Sequence, residues 1–367
     1  MDFVGEIVGH YRVLEKVGGG GMGVIYKAED TKLNRLVALK FLPDRLSGDS
    51  LALQRFSREA HAASALNHPN ICTIYEIGED EGRPFIVMEL MEGETLRQRI
   101  GPGERASRKA SSRESRPPIQ LDELLDLAIQ IAGALDAAHK KGIIHRDIKP
   151  ANIFLIPHGE GSQVKLLDFG LAKQVRNPDE EFYPTLPMGR GGAESGAPLT
   201  LAGMSVGTMG YMSPEQARGE ELDARTDLFS FGAVLFEMAT GEQAISGNTT
   251  AMITSFVLEE SPISKHEWNP DMPESLRQVV RRAMEMNRDK RYASASEMRA
   301  DLEKVKREAD AEADLIILDS VPAFGPESEP ARPQPAPPPQ GNPLWIKAAI
   351  AVLILAGLAA AVFFFIR

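Results

Sequence analysis

The octapeptide from His145 to Asn152, which reads His-Arg-Asp-Ile-Lys-Pro-Ala-Asn, is the most constraining feature of the chain. Asp147 precedes Lys149 by two residues and Asn152 by five, so one short loop can bring the three side chains together. There the aspartate can accept a hydroxyl proton, the lysine can neutralise phosphate charge, and the asparagine can offer its amide oxygen to Mg²⁺. These groups suit phosphoryl transfer, which needs positioned charge, a metal ion and an aligned nucleophile.

The composition is that of a globular protein, since 43% of the 367 residues are hydrophobic and 25% are charged. The length suits a two-lobed domain with additional segments. The formal net charge of -11 argues against nucleic acid as a partner. The single cysteine, Cys72, excludes an intrachain disulfide, and its apolar neighbours predict a buried, unreactive side chain.

An uninterrupted apolar stretch covers residues 348–366 near the end of the chain. About 20 helical residues span a bilayer, and Trp345 and Lys347 flank the stretch as interfacial anchors. We therefore predict a transmembrane helix over residues 344–366. The alternative is a buried core helix, although such helices are seldom apolar on all sides. Residues 1–9 do not resemble a secretory signal.

A glycine-rich segment separates two predicted strands within residues 11–27. Its pattern, G-x-G-x-x-G from Gly18 to Gly23, lets backbone N–H groups approach phosphate oxygens. In a dinucleotide-binding fold the last glycine opens a helix, whereas Val24 and Ile25 favour a strand here. We expect a loop that lies over a nucleotide; a hairpin tip without a ligand is the alternative.

A lysine and a glutamate on two consecutive elements are candidates for holding that nucleotide. Lys40 lies in a predicted strand over residues 37–41, and Glu59 lies in a predicted helix over residues 50–66. A lysine facing a glutamate in this way can bind the α- and β-phosphates while the glutamate fixes its position. A surface lysine on an edge strand is the alternative. Two strands, 71–77 and 84–90, are predicted to follow.

The second half of the chain reads as mainly helical, with helices predicted over residues 121–141, 227–240, 276–286 and 296–307. A strand over residues 164–170 places the carboxylate of Asp168 at its end, which suits a metal ligand.

Three segments differ in composition from the rest. Residues 101–118 are basic and read as a disordered insertion, which either docks an acidic partner or lipid headgroups or is a solvated loop. Residues 171–213 are rich in Gly, Pro, Ser and Thr and predict a mobile loop. Residues 308–342 become acidic and then proline-rich, which predicts an extended tether.

Together these segments resemble a protein kinase of the eukaryotic-like bacterial serine/threonine type, over roughly residues 11–306. The motifs follow the family's order and spacing. They are Gly18-x-Gly20-x-x-Gly23-x-Ile25, Val37-Ala38-Leu39-Lys40, Glu59, the octapeptide, Asp168-Phe169-Gly170, Ser213-Pro214-Glu215, Asp227 and Arg291. The departures are Ile25 for valine, Ser213 for alanine, the 101–118 insertion and the lengthened loop after Gly170.

The resemblance implies an α+β, bilobal fold. A small β-rich N-lobe with one helix would cover residues 11–91, and a larger helical C-lobe residues 92–306. An acidic, then proline-rich juxtamembrane linker over residues 307–343 and one transmembrane helix would follow.

The resemblance also implies roles for individual residues, with ATP and Mg²⁺, or Mn²⁺, as cofactors. Asp147 would deprotonate the acceptor hydroxyl, Lys149 would neutralise the transferred group, and Asn152 and Asp168 would hold the metal. Glu59 would pair with Lys40. The nucleotide would contact Val17, Gly18, Gly19, Gly20, Gly21, Met22, Gly23, Ile25, Ala38, Lys40, Met88, Glu89, Met91 and Phe154. Within that set Met88 would be the gatekeeper, and Glu89 and Met91 would offer backbone hydrogen bonds to adenine.

Three further residues would have structural roles. Glu215 and Arg291 would form an ion pair in the C-lobe, and Asp227 would brace the catalytic loop through backbone hydrogen bonds.

Substrate class follows from Lys149 and Thr208, which match the serine/threonine pattern. Thr208 would position the acceptor hydroxyl. Arg146 beside Asp147 is associated with activation by loop phosphorylation, because a phosphate can pair with it. Thr200 is the first candidate for autophosphorylation, followed by Ser205 and Thr185.

ATP chemistry places the kinase domain in the cytoplasm and the C-terminus outside, as a single-pass protein of the cell membrane in contact with lipid. The sequence shows no sensor domain beyond the span. Either the span and tether regulate the kinase through a homodimer, for which the small residues around Gly357 allow close packing, or the chain is truncated.

Two other function classes remain open. A pseudokinase scaffold would bind nucleotide and partners without transfer, but such proteins usually lose one of the residues matching Lys40, Asp147 or Asp168. A small-molecule phosphotransferase of similar fold would generally lack the Ser213-Pro214-Glu215 element.

Overall fold

The computed structural model describes residues 3–20, 23–42, 57, 60–101, 119–169, 206–245, 263, 268 and 272–320. The chain divides into two compact units, Met1–Ala313 and Asp314–Arg367. In the second unit the described residues, 314–320, are helical.

A six-stranded antiparallel sheet forms the first lobe. Its strands are β1 (Ile7–Val8), β2 (Tyr11–Gly20), β3 (Gly23–Asp30), β4 (Arg35–Phe41), β5 (Ile74–Asp80) and β6 (Arg83–Glu89), in the order β1-β2-β3-β4-β6-β5. Alternate side chains of β3 are buried, as expected for a sheet with one covered face. Tyr26, Leu39 and Val87 form part of the core beneath it. The predicted strand pair around the glycines is confirmed.

Strand β5 begins at Ile74, three residues later than predicted. Ile71 instead forms a parallel bridge with Leu166, and the Cys72 N–H donates to the Leu166 carbonyl at 2.9 Å. Ile71 and Cys72 therefore pair with a strand residue of the second lobe and do not extend β5. Glu81 and Gly82 both have positive φ and close a two-residue hairpin between β5 and β6.

Two short elements lead out of the sheet, β7 (Glu94–Thr95) and α1 (Leu96–Ile100). Thr95 and Gln98 form a reciprocal capping box at the start of α1. Neither element was predicted from the sequence, since both are short and lack a periodic pattern.

The second lobe is mainly helical. Its elements are α2 (Leu121–His139), β8 (Ile153–His158), β9 (Gly161–Leu166), α3 (Pro214–Arg218), α4 (Ala224–Thr240), α5 (Glu274–Ala283) and α6 (Ala295–Ser320), and β7, β8 and β9 form a small sheet. Helix α4 runs through the core and is buried on nearly all sides, with Phe229, Phe231 and Phe236 fully covered. The predicted bilobal α+β architecture is therefore present.

The end of α6 corrects the prediction of an extended tether from residue 308. The helix continues to Ser320, because this segment is composed largely of Ala, Glu, Asp and Leu and reaches no proline before Pro322. Pairs such as Lys304–Glu308, one turn apart, support it.

Several predictions lie outside the described residues: most of the 50–66 helix, the 101–118 insertion after Gly101, residues 170–205, and the 344–366 span. Among the helices that the structure describes, none is long and apolar enough to cross a membrane.

Candidate active site

The octapeptide loop brings together the three residues that the sequence singled out. Lys149 Nζ lies 2.8 Å from Asp147 Oδ2. Asn152 Nδ2 donates to the same oxygen at 2.9 Å and to the Asp147 backbone carbonyl at 2.9 Å. All three side chains are largely buried. A carboxylate, an ammonium group and an amide are thus held within one hydrogen-bonded cluster.

Asp227 on helix α4 fixes the backbone of this loop through hydrogen bonds. Its carboxylate accepts hydrogen bonds of 2.7 Å from the backbone N–H groups of His145 and Arg146, and one of 2.8 Å from His139 Nε2. Burial alone would raise the pKa of Asp227, but the hydrogen bonds from His139 and from the His145 N–H help to hold it below its ordinary value. The predicted bracing role is confirmed.

His145 is fully buried and packs 4.5 Å from the Phe169 ring. Burial lowers its pKa. A neutral imidazole has one donor and one acceptor. The contacts match, because Nε2 lies 2.8 Å from the Leu167 carbonyl oxygen and Nδ1 lies 3.3 Å from the Asp147 N–H. His145 therefore links the octapeptide to the segment that carries Asp168.

Lys40 on β4 meets Asp168 across the two lobes, with 2.5 Å between Nζ and Oδ2. Burial would raise the pKa of Asp168, but the Lys40 ammonium holds it below its ordinary value. Asp168 has a φ of 56°, in the left-handed region that non-glycine residues seldom adopt. Glu59, the predicted partner of Lys40, lies outside the described residues.

The donors at this site fit a hard cation. Asn152 directs its amide nitrogen at Asp147, which leaves its amide oxygen as a ligand, and Asp168 supplies an ionised carboxylate. Oxygen donors of these two kinds are those that Mg²⁺ and Mn²⁺ prefer. Among the described residues no group of three or more His, Cys, Asp or Glu side chains could hold a metal ion.

The predicted nucleotide-contacting residues lie in rows across the first sheet. Gly18 pairs with Ile25, and Ile25 pairs with Lys40. Two residues away along β4, on the same face of the sheet as Lys40, Ala38 pairs with Met88. Ala38 is buried, whereas Val17 is 58% exposed.

Other members of the predicted nucleotide set lie around those rows. Gly19 and Gly20 end β2, and Gly23 begins β3. Met91 lies just beyond β6 and Phe154 lies on β8. Gly21 and Met22 are outside the described residues.

Glu89 has a partner that was not predicted from the sequence. Its carboxylate binds Lys165 Nζ on β9 at 2.8 and 2.9 Å and accepts a 2.7 Å hydrogen bond from the Thr73 N–H. A lysine within the apolar run Val164–Leu167 was the available signal, because a charged residue in a buried strand needs a partner. Cys72, one residue before Thr73, is buried as predicted, and burial raises the pKa of its thiol.

The Glu215–Arg291 ion pair is confirmed. Arg291 donates to both Glu215 oxygens at 2.7 and 2.9 Å, and the side chains are 0% and 3% exposed. Ser213, which departs from the alanine common in this position, forms a capping box with Gln216 at the start of α3.

Thr208 lies in a 3₁₀ helix, Val206–Tyr211. Tyr211, its last residue, forms a second hydrogen-bond network, which was not predicted from the sequence. The Tyr211 hydroxyl donates a hydrogen bond to Glu237 and accepts hydrogen bonds from Arg97 and Gln243. The phosphorylation candidates Thr185, Thr200 and Ser205 lie outside the described residues.

Comparisons with known proteins relate this chain to protein kinases. The family model described as "Protein kinase domain" matches residues 11–301. A probable serine/threonine-protein kinase of Clostridium acetobutylicum is 36% identical over 296 residues, which is 81% of this chain and 40% of that protein. Serine/threonine-protein kinase PknB of Mycobacterium tuberculosis is 35% identical over 314 residues, 84% of this chain and 45% of that protein. This chain thus spans less than half the length of either relative.

Solved structures support the fold. A double mutant of the Mycobacterium tuberculosis PknI kinase domain superimposes with a TM-score of 0.61 at 24% identity, covering 83% of this chain and 100% of that one. At this identity the likeness concerns the fold alone.

Proposed function

The chain belongs to the protein kinase family, and we propose that it transfers the γ-phosphoryl group of ATP to serine and threonine hydroxyls of proteins. The observation that carries the proposal is the buried cluster of Asp147, Lys149 and Asn152, with the Lys40–Asp168 pair completing the site. These are the groups that a loose phosphoryl-transfer transition state requires.

Each residue has a role that its surroundings permit. Asp147 orients the acceptor hydroxyl and takes its proton, while Lys149, 2.8 Å away, offers a positive charge to the transferred group. Lys40 binds the α- and β-phosphates. Asn152 and Asp168 would hold Mg²⁺ or Mn²⁺, which supplies charge neutralisation when bound.

The test is transfer from labelled ATP by the full chain in detergent, beside Asp147→Asn. We expect label on serine or threonine in the wild type and a loss of about 10²–10⁴-fold in the variant, with ATP affinity retained. Equal binding of ATP by both proteins without any transfer would support the alternative, a pseudokinase scaffold, although the chain keeps Lys40, Asp147, Asn152 and Asp168.

We also propose that the protein is anchored in the cell membrane by residues 344–366, with the kinase domain (11–306) cytoplasmic and the C-terminus outside. The support is the length and apolarity of that stretch. Resistance to alkaline extraction from membranes, lost on deletion of 344–366, tests the anchor. Release of the full chain by alkaline extraction would contradict the proposed membrane anchor.

Homodimerisation through the span is the proposed route of regulation. The small residues around Gly357 would allow two helices to pack closely. Crosslinking in membranes should yield less dimer with Gly357→Leu than with the wild type, and equal yields would exclude this surface.

Autophosphorylation of Thr200, with Ser205 and Thr185 as further candidates, is proposed from their positions before Thr208. A phosphate there would pair with Arg146, next to Asp147. Thr200→Ala should lower both the phosphate content and the activity of the protein; no change in either would exclude this residue.

A further inference from the structure

Glu89, the last residue of β6, forms an ion pair with Lys165, the next-to-last residue of β9. The two Glu89 oxygens lie 2.8 and 2.9 Å from Lys165 Nζ. The side chains are only 19% and 10% exposed. The same carboxylate accepts the Thr73 N–H at 2.7 Å, so Glu89 joins three segments of the chain at one point.

The third segment, residues 70–73, is bound along its length to β9. The Leu166 N–H donates to the Asn70 carbonyl at 2.9 Å, and the Cys72 N–H donates to the Leu166 carbonyl at 2.9 Å. The Asn70 side-chain amide also reaches the Val164 carbonyl at 2.9 Å. Since the Glu89 N–H donates to the Thr73 carbonyl at 3.0 Å, β6, residues 70–73 and β9 form one hydrogen-bonded unit.

This unit lies beside residues assigned to the nucleotide. Lys165 is the cross-strand partner of Phe154, and it precedes Asp168 by three residues. The backbone of Glu89 itself is assigned to adenine. A displacement of Lys165 would therefore change the positions of residues at both the adenine-binding end and the metal-binding end of the site.

Stability alone does not account for such a pair. A partly buried ion pair usually contributes little more than apolar side chains of similar volume, because both charges lose water. Its distinguishing property is geometric, since two oxygens and one ammonium group fix the relative position of two backbones.

We propose that Lys165 is a positioning residue for ATP: through Glu89 it holds the β6 end in the place that adenine binding requires. The proposal rests on the proposed function, because it concerns the same nucleotide site. Without the ammonium group, the Glu89 carboxylate would keep only the Thr73 N–H and would turn toward solvent. The backbone of Glu89 would then lose its fixed position.

The experiment measures the equilibrium dissociation constant for ATP with Mg²⁺ and, separately, kcat and KM, using the full chain in detergent. The variants are Lys165→Met, which keeps length but not charge, Lys165→Arg, Glu89→Gln and the double variant. We expect Lys165→Met to raise both the dissociation constant and KM for ATP about tenfold, equivalent to about 1.4 kcal/mol, with a smaller change in kcat. Lys165→Arg should recover most of the affinity.

The double variant, Lys165→Met with Glu89→Gln, should bind ATP no more weakly than Lys165→Met alone, because the two side chains act through one contact. Two controls separate positioning from general destabilisation. Lys140→Met removes an exposed lysine that pairs with Asp136 at 2.6 Å on α2, and it should leave ATP affinity unchanged. Val280→Ala creates a cavity at the buried face of α5. It should lower the free energy of unfolding at a position away from the nucleotide site.

An unchanged dissociation constant for ATP in Lys165→Met, with a lowered melting temperature like that of Val280→Ala, would overturn the proposal. If Lys165→Met does not fold, the Glu89→Gln and Lys165→Arg titrations decide, and wild-type affinity in Glu89→Gln would also overturn it. A wild-type protein that binds no ATP would instead show that the proposed function itself is wrong.

Discussion

Asp227 Oδ1 accepts a 2.7 Å hydrogen bond from the backbone N–H of Arg146, a residue whose φ of 65° lies in the left-handed region. Such a conformation costs a non-glycine residue about 1–3 kcal/mol. The fully buried carboxylate offsets this cost, because it also accepts the His145 N–H. The strained residue directly precedes Asp147, so the position of the proposed catalytic base depends on a helix more than 70 residues away.

Asp227→Asn should lower kcat while leaving KM for ATP nearly unchanged. An amide has one oxygen where the carboxylate has two, and its NH₂ group would face a backbone N–H. We expect a loss of about 10²-fold in kcat, the effect of a misplaced catalytic group, and about 1.5–3 kcal/mol in the free energy of unfolding.

Steady-state kinetics and urea denaturation measure these two changes. Asp223→Asn is the matched control on the same helix, because asparagine caps a helix as well as aspartate does. Equal kcat in the Asp227 and Asp223 variants would contradict the bracing role.

Arg291→Met should destabilise the second lobe strongly. It leaves the buried Glu215 carboxylate with Thr226 as its remaining side-chain donor, and breaking a buried pair costs about 3–5 kcal/mol. Urea denaturation measures the loss. Arg288→Met, which removes a partly exposed arginine nearby, should cost less than about 1 kcal/mol. Adding Glu215→Gln to Arg291→Met should restore part of the stability, since the stranded charge is then gone.

The same pair predicts how stability depends on pH. Burial would raise the pKa of Glu215, but hydrogen bonds and the charge of Arg291 hold it below its ordinary value of 4.5. As the pH falls below that value, the unfolded chain therefore binds the proton first. The contribution of Glu215 is complete above the unfolded pKa and is lost as the pH falls through the folded pKa.

Urea midpoints measured between about pH 6 and pH 3 test this sign. Glu215→Gln should flatten the decline on the acid side, because it removes one group whose pKa differs between the two states. A decline as steep as that of the wild type would show that other carboxylates govern it.

Gly23→Ala should destabilise the first sheet. Gly23 has a φ of 114°, and a Cβ there would lie 2.0 Å from the Phe41 carbonyl oxygen, so strands β3 and β4 would have to separate. We expect a loss greater than about 1 kcal/mol. Gly18→Ala is the control, because a Cβ at Gly18 meets nothing within 4 Å, and its free energy of unfolding should change by less than about 0.5 kcal/mol. Equal losses in the two variants would show that the close approach is not what requires Gly23.

Sequence reasoning succeeded where a feature depends on nearby residues. The octapeptide cluster involves side chains within five residues of one another, and the glycine hairpin follows from local turn and strand preferences. It failed at the ends of elements. Strand β5 begins late because Ile71 is engaged by Leu166, and α6 extends into residues whose acidic composition had suggested a tether.

Local chemistry therefore accounts for which groups the site contains, since their types and spacing are visible along the chain. Their partners depend on packing: Lys40 meets Asp168 across 128 residues, and Glu89 meets Lys165 across 76. A buried charge accepts whichever opposite charge the fold brings within about 3 Å. Only the packing of the two lobes brings β4 against the segment after β9, and the end of β6 against β9, so no pattern within one segment reveals these pairs.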